Sequence, residues 1–165
     1  MDVYLVRHAI AAQRDPDKWP DDRGRPLTAD GEKRFRKAAG GLGKLVPTVG
    51  RVLASPLERA WHTAEILHQE IGWPQPAPLE ELEPDGSPQE AVAALAPFRL
   101  DRSVAVVGHE PGLSGLASYL LVGSDAGVDL ELKKGGAAML SLDGDTKPGS
   151  ALLRWLLTPK VLRSL

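Results

Sequence analysis

"VAVVGHEPG", residues 104–112, decides the fold. Val104, Ala105, Val106 and Val107 are apolar at every position. A strand covered on both faces reads that way, whereas a half-exposed strand alternates. Such cover on both sides implies helices packed on a mostly parallel sheet. The run ends on Gly108-His109, with no polar lead-in.

Working outward, strand-like runs alternate with helix-like runs. The strand expectations are Val3–Val6, Arg51–Ala54, Ala77–Leu82, Val104–Val107, Ala137–Leu142 and Ala151–Leu157. Alternation of this kind predicts an α/β fold. The last two strands are separated only by a turn segment at 143–150, which predicts a hairpin and hence an antiparallel edge. The expected architecture is a single three-layer α/β/α domain with a mostly parallel central sheet. A chain of 165 residues suits one such domain with a full core.

Helix starts are well marked. Ser55-Pro56-Leu57-Glu58 places Ser at an N-cap, Pro at the first helical position and Glu at N3. Ser87-Pro88-Gln89-Glu90 repeats that order. Thr28 is the expected cap of a helix running to Leu45, with Phe35, Ala38, Ala39, Leu42 and Leu45 at helical spacing. Gly40 and Gly41 weaken that helix. The segment Gln13–Pro26 carries three prolines and many charges, which makes it a loop, either a lid or a substrate contact.

The composition narrows the function classes. Basic and acidic residues number 20 and 22, a net charge of −2, so no general nucleic-acid or membrane surface is expected. There is no cysteine, which excludes disulfides, thiolate metal sites and a cysteine nucleophile. Neither a signal peptide nor a membrane span is expected, and the expected location is the cytoplasm. No glycine-rich fingerprint follows the first strand, which argues against a Rossmann or P-loop nucleotide site.

Three basic signals occupy equivalent places. Arg7-His8 follows the first strand, Arg59 lies in the first turn after the second, and His109 follows the apolar strand. Ligands of open α/β sheets bind beyond the carboxyl ends of the strands, where all four would converge. Two guanidinium groups and two imidazoles in one crevice suit a dianionic phosphate. Taken singly, each has an ordinary alternative: a solvated strand end, a structural histidine, an Arg59 pair with Glu58 or Glu65, or a helix cap at His109. His62 and His68 follow no strand and are read as structural. No histidine pair has metal-ligand spacing, so neither metal nor cofactor is expected. Arg23 and Arg25 in the polar loop are weighed as substrate contacts, Arg25 ahead of Arg23.

"LVRHAIA", "PLTADGEKRF", "LASPLERAWHTAEIL" and "VAVVGHEPGLSGLASYLL", in that order, resemble the histidine phosphatase superfamily, whose fold is phosphoglycerate mutase-like. The short chain, Arg25-Pro26-Leu27-Thr28 and the C-terminal "LLRWLLTPKVL" are most similar to SixA-type phosphohistidine phosphatases. Many members have Gly after the Arg-His pair, where this chain has Ala9.

The resemblance implies that His8 attacks phosphorus to form a phosphohistidine, that Arg7, Arg59 and His109 hold the phosphoryl oxygens, and that water completes hydrolysis without a metal. A second ring nitrogen of His8 donating to a backbone carbonyl would aim the lone pair. Larger members use a carboxylate as proton donor; here Glu80, Glu81 and Glu83 are the candidates, with Glu81 in the best position relative to the end of the third strand. The implied substrate is a phosphorylated protein in signal transduction, or alternatively a sugar phosphate or nucleotide. A non-catalytic phosphate-binding protein is the reading from another class. A monomer is expected.

Overall fold

The computed structural model describes residues 1–143 and 147–165. Six strands form one sheet in the order β3-β2-β4-β1-β5-β6. They are β1 (Asp2–Arg7), β2 (Arg51–Ala54), β3 (Ala77–Pro78), β4 (Ser103–Gly108), β5 (Ala137–Leu142) and β6 (Ala151–Leu157). The strand of the opening stretch, β4, lies between β1 and β2 and is parallel to both. β5 and β6 run antiparallel, with a bulge between Met139 and Leu140. The antiparallel edge is therefore as expected, although residues 144–146 of the proposed turn lie outside the described residues.

Alternation along the strands splits the core in two. Tyr4, Val6, Val52, Ala105 and Val107 face α1 (Ala29–Leu45), α2 (Glu58–Ile71) and the short α5 (Pro159–Leu162). Val3, Leu5, Leu53, Val104 and Val106 face α3 (Pro88–Leu95) and α4 (Gly112–Val122). Val104 to Val107 are all completely buried, which is why that run carries no polar residue. Among the described residues, no helix is long and apolar enough to cross a membrane.

Two of the three expected caps form. Thr28 Oγ1 accepts from Gly31 N at 2.9 Å, and Ser87 Oγ accepts from Glu90 N at 3.1 Å. The third does not: α2 starts at Glu58 with Leu57 at its cap, and no side chain caps it. Ser55 is claimed instead by a residue 54 positions away, His109, whose Nε2 lies 2.9 Å from its Oγ.

The third strand is also shorter than Ala77–Leu82. Only Ala77 and Pro78 pair with β2, and a 3-10 turn then covers Glu80–Leu82. Pro78 has no N–H to extend the ladder, and the bonds Leu82 N to Leu79 O and Glu83 N to Glu80 O curl the chain away.

The two adjacent glycines of α1 play different parts. A Cβ on Gly41 would meet Leu162 O at 1.8 Å, so α5 docks against a bare backbone there. A Cβ on Gly40 would meet nothing within 4 Å. Gly41→Ala is expected to destabilise by about 1–3 kcal/mol through overpacking. Gly40→Ala is expected to stabilise by up to about 1 kcal/mol through helix propensity. Denaturant titration of both variants checks the pair; equal shifts would contradict the docking account.

Candidate active site

The carboxyl ends of β1, β2 and β4 lie side by side, and each hands its next residue to the same place. Arg7 pairs with Gly108 in the sheet register, so His8 and His109 leave adjacent strands together. Their ring centroids are 5.1 Å apart. Arg59 reaches the same point from the first turn of α2. All three are buried at 5% exposure or less, and Arg7 joins them in lining a crevice of about 580 Å³. The four residues expected to converge do so.

His8 has a defined tautomer. Its Nδ1 lies 2.7 Å from the carbonyl oxygen of Ala9, which can only accept. The proton therefore sits on Nδ1, and Nε2 carries the lone pair. Thr63 fixes this short segment to α2: its Oγ1 accepts from Ala9 N at 3.0 Å and donates to Arg59 O at 2.6 Å. Thr63 lies within the motif around Arg59, yet nothing in its local pattern marks it as the tie between the Arg59 helix and the His8 strand end.

Arg59 is held by Asp22, which reading the loop as polar did not single out. Arg59 Nη1 donates to Asp22 O at 3.0 Å, and Nη2 lies 3.2 Å from Asp22 Oδ2. Arg25 grips the same carboxylate with Nε and Nη2, at 2.6 and 3.0 Å, and donates its Nη1 to Ala12 O. Arg25 thus lines the crevice with its fork already engaged, and builds the loop. Arg23 bridges to Glu83 at 2.7 and 2.9 Å. Asp22 has a φ of 59°, in the left-handed region that Asp tolerates better than most residues. The Arg25 hydrogen bonds, followed by the Arg59 charge, hold its carboxyl below the usual range.

Arg7 donates Nη1 to Leu132 O at 2.7 Å. Leu132 N in turn donates to Glu110 Oε1 at 3.1 Å, and Ser114 N and Oγ both donate to Glu110 Oε2. Glu110 therefore braces the loop that orients Arg7. Of the candidate carboxylates, Glu83 lines the crevice, while Glu81 lies on the 3-10 turn that stands in place of an extended strand and lines, with His109, a smaller neighbouring cavity. His62 and His68 lie elsewhere, with His62 Nε2 3.9 Å from Glu32 and His68 Nδ1 donating to Trp73 O.

Among the described residues, the buried side-chain polar atoms without a partner are Arg7 Nε, Arg59 Nε and His109 Nδ1. All three belong to this crevice. Buried polar atoms are normally satisfied, so three orphans on its walls, two of them guanidinium donors, suit an anionic ligand with several acceptor oxygens. Among the described residues, no cluster of side chains could hold a metal ion.

Burial keeps both imidazoles neutral. Desolvation, reinforced by Arg59, Arg7 and Lys134, lowers His8 to about 3 against the opposing Ala9 carbonyl. Desolvation, then His8 and the arginines, lowers His109 to about 2. The unfolded chain takes up these protons near the ordinary value of about 6.5, while the folded chain does not. Stability is therefore complete above that value and falls with pH towards 3. The expected loss is about 1.4 kcal/mol per pH unit for each ring. Urea unfolding at pH 7 and 5 measures it, and His8→Asn should make the loss smaller. An unchanged slope in that variant would contradict the assignment.

A sequence model of the histidine phosphatase superfamily (branch 1) matches residues 3–83. The chain is also 38% identical over 138 residues to an uncharacterized protein of Picosynechococcus sp., covering 82% of each. The chain belongs to the histidine phosphatase superfamily. Among solved structures, this phosphatase is similar to the protein histidine phosphatase SixA complexed with tungstate: 28% identity, TM-score 0.86, over 98% of this chain and 99% of that one. It shares its fold with the alpha-ribazole phosphatase of Shigella flexneri at 18% identity and TM-score 0.74, over 96% and 97% of the two chains. The phosphatase thus has the α/β sheet that the sequence pattern predicted.

Proposed function

We propose that this histidine phosphatase removes phosphoryl groups from protein phosphohistidine, with His8 as nucleophile. The observation that carries the mechanism is the Nδ1–H bond to the Ala9 carbonyl. It leaves Nε2 as a free lone pair at the mouth of a strand, beside three buried, unpartnered nitrogens. Nε2 attacks phosphorus as the bond to the substrate breaks. Arg7, Arg59 and His109 hold the equatorial oxygens while charge spreads over them. Water then attacks phosphorus and His8 leaves, regenerated as the free imidazole. The covalent step is nucleophilic catalysis by a neutral ring already in its reactive form.

Five carboxylates line the crevice: Asp21, Asp22, Glu83 and Glu110 accept from backbone, guanidinium or hydroxyl donors, and Asp85 has no partner among the described residues. An imidazole leaves more easily than an alkoxide and depends less on a dedicated acid. The similarity to SixA over nearly the whole chain supports the same substrate class.

A second reading, a phosphatase of small phosphorylated metabolites, is favoured by the Gln13–Pro26 loop. Asp22 and Arg23 fold that loop across one side of the crevice, onto Arg59 and Glu83. One preparation assayed for phosphate release separates the two readings. Protein phosphohistidine, phosphoserine and a panel of sugar phosphates are the substrates. The proposal expects the highest kcat/KM on phosphohistidine; a metabolite ahead by tenfold or more (about 1.4 kcal/mol) overturns it.

A further inference from the structure

Beside the crevice lies a second groove of about 130 Å³; Lys134 lines both, and Ala9, next to His8 in the chain, lines the groove. Its floor is apolar, formed by Ile10, Phe35 and Pro159, and its rim carries Arg34, Lys134 and Arg163. Ile10 remains 38% exposed there, although it directly follows the site's own backbone. The Lys134 and Arg163 side chains have no ion-pair or hydrogen-bond partner among the described residues. Arg34 shares its charge with Asp30 at 2.7 Å, on a pair that is mostly exposed. The chain as a whole is slightly acidic, at −2, so this local positive patch is not a by-product of composition.

We infer that this groove receives an acidic segment of the phosphorylated protein, flanking the phosphohistidine. The inference rests on the protein-phosphohistidine reading above and names the substrate feature that the same site selects. Charge complementarity decides the sign of the partner. Continuity decides its source: the groove shares Ala9 with the segment that holds the His8 ring, so chain flanking a phosphoryl group on His8 passes directly over it. Apolar floor and cationic rim together suit the methylene stem and carboxylate of a Glu side chain better than a compact polyanion. Rim charges of this kind act on encounter and KM more than on chemistry.

Two synthetic phosphohistidine peptides test this, one flanked by Glu and one by Gln, with an aryl phosphate as the reference substrate. Wild type at low ionic strength is expected to prefer the Glu peptide by about fivefold in kcat/KM, through KM, and to lose the preference in high salt. Arg163→Glu and Arg34→Glu should each reduce or reverse that preference while leaving aryl phosphate hydrolysis unchanged, which also reports that the variants are folded. Lys134 is left intact because it also lines the crevice. Equal rates on the two peptides in wild type, or a preference that both variants retain, would overturn the inference and leave the phosphohistidine reading standing. Failure to hydrolyse either peptide, with metabolites turned over, would overturn both.

Discussion

His8→Ala is expected to lose more than about 10³-fold in turnover and all covalent labelling, because it removes the proposed nucleophile. Labelling with a radioactive phosphoryl donor, quenched without acid, reads the intermediate directly. His109→Ala should be slow but still labelled on His8, since in the proposed mechanism His109 holds the phosphoryl oxygens and takes no part in the forming bond. A His8→Ala protein that turns over at the wild-type rate would sink the nucleophile assignment. Label on His109 in that variant would move the assignment to the neighbouring ring, 5.1 Å away. Loss of an ionisable group should not unfold the variant: His8 is held neutral by burial, so its removal leaves no uncompensated charge.

Arg59→Ala is expected to cost about 2–4 kcal/mol of transition-state stabilisation, or roughly 10²–10³-fold in kcat/KM, the scale of a lost preorganised donor. Arg59 is 3% exposed, and burial together with Arg25 pulls its pKa down while Asp22 opposes them. Its guanidinium still carries its charge within the crevice. Because Arg59 also tethers the loop through Asp22, the effect has two possible origins. Asp22→Ala separates them: it removes the carboxylate tie, keeps the guanidinium with its bond to the residue 22 carbonyl, and should cost much less than Arg59→Ala. An equal loss in both variants would mean that Arg59 acts through the loop. Arg59→Lys should recover only part of the rate, since an ammonium lacks the planar fork.

Much of this was legible in the residues because the relevant signals are local. An uninterrupted apolar tetrapeptide at Val104–Val107 identifies the central strand, and the residues following β1, β2 and β4 are then constrained to one edge. Arg7, His8, Arg59 and His109 were legible for that reason. What escaped depends on contacts far apart in sequence. Ser55 reads locally as a cap, but the buried His109 ring competes for its hydroxyl and wins. Asp22 reads as one charge among many in a polar loop, and its role arises only once a left-handed residue turns its carboxylate between two arginines. A run of Pro76-Ala77-Pro78 followed by Glu80 and Glu81 is a poor strand, and the 3-10 turn that stands there places Glu83 in the crevice and Glu81 in the smaller cavity beside His109.

The acceptor that orients the His8 ring is main chain, the carbonyl of residue 9, and not a side chain. No point substitution can delete it. Ala9 is 1% exposed, so what residue 9 must satisfy is volume and not chemistry. A lineage carrying this site can therefore drift at position 9 among the smallest residues without ever losing the aim of its nucleophile. Mutational screens for damaged tautomer control should look instead at Thr63, whose hydroxyl anchors that backbone and can be lost in a single step.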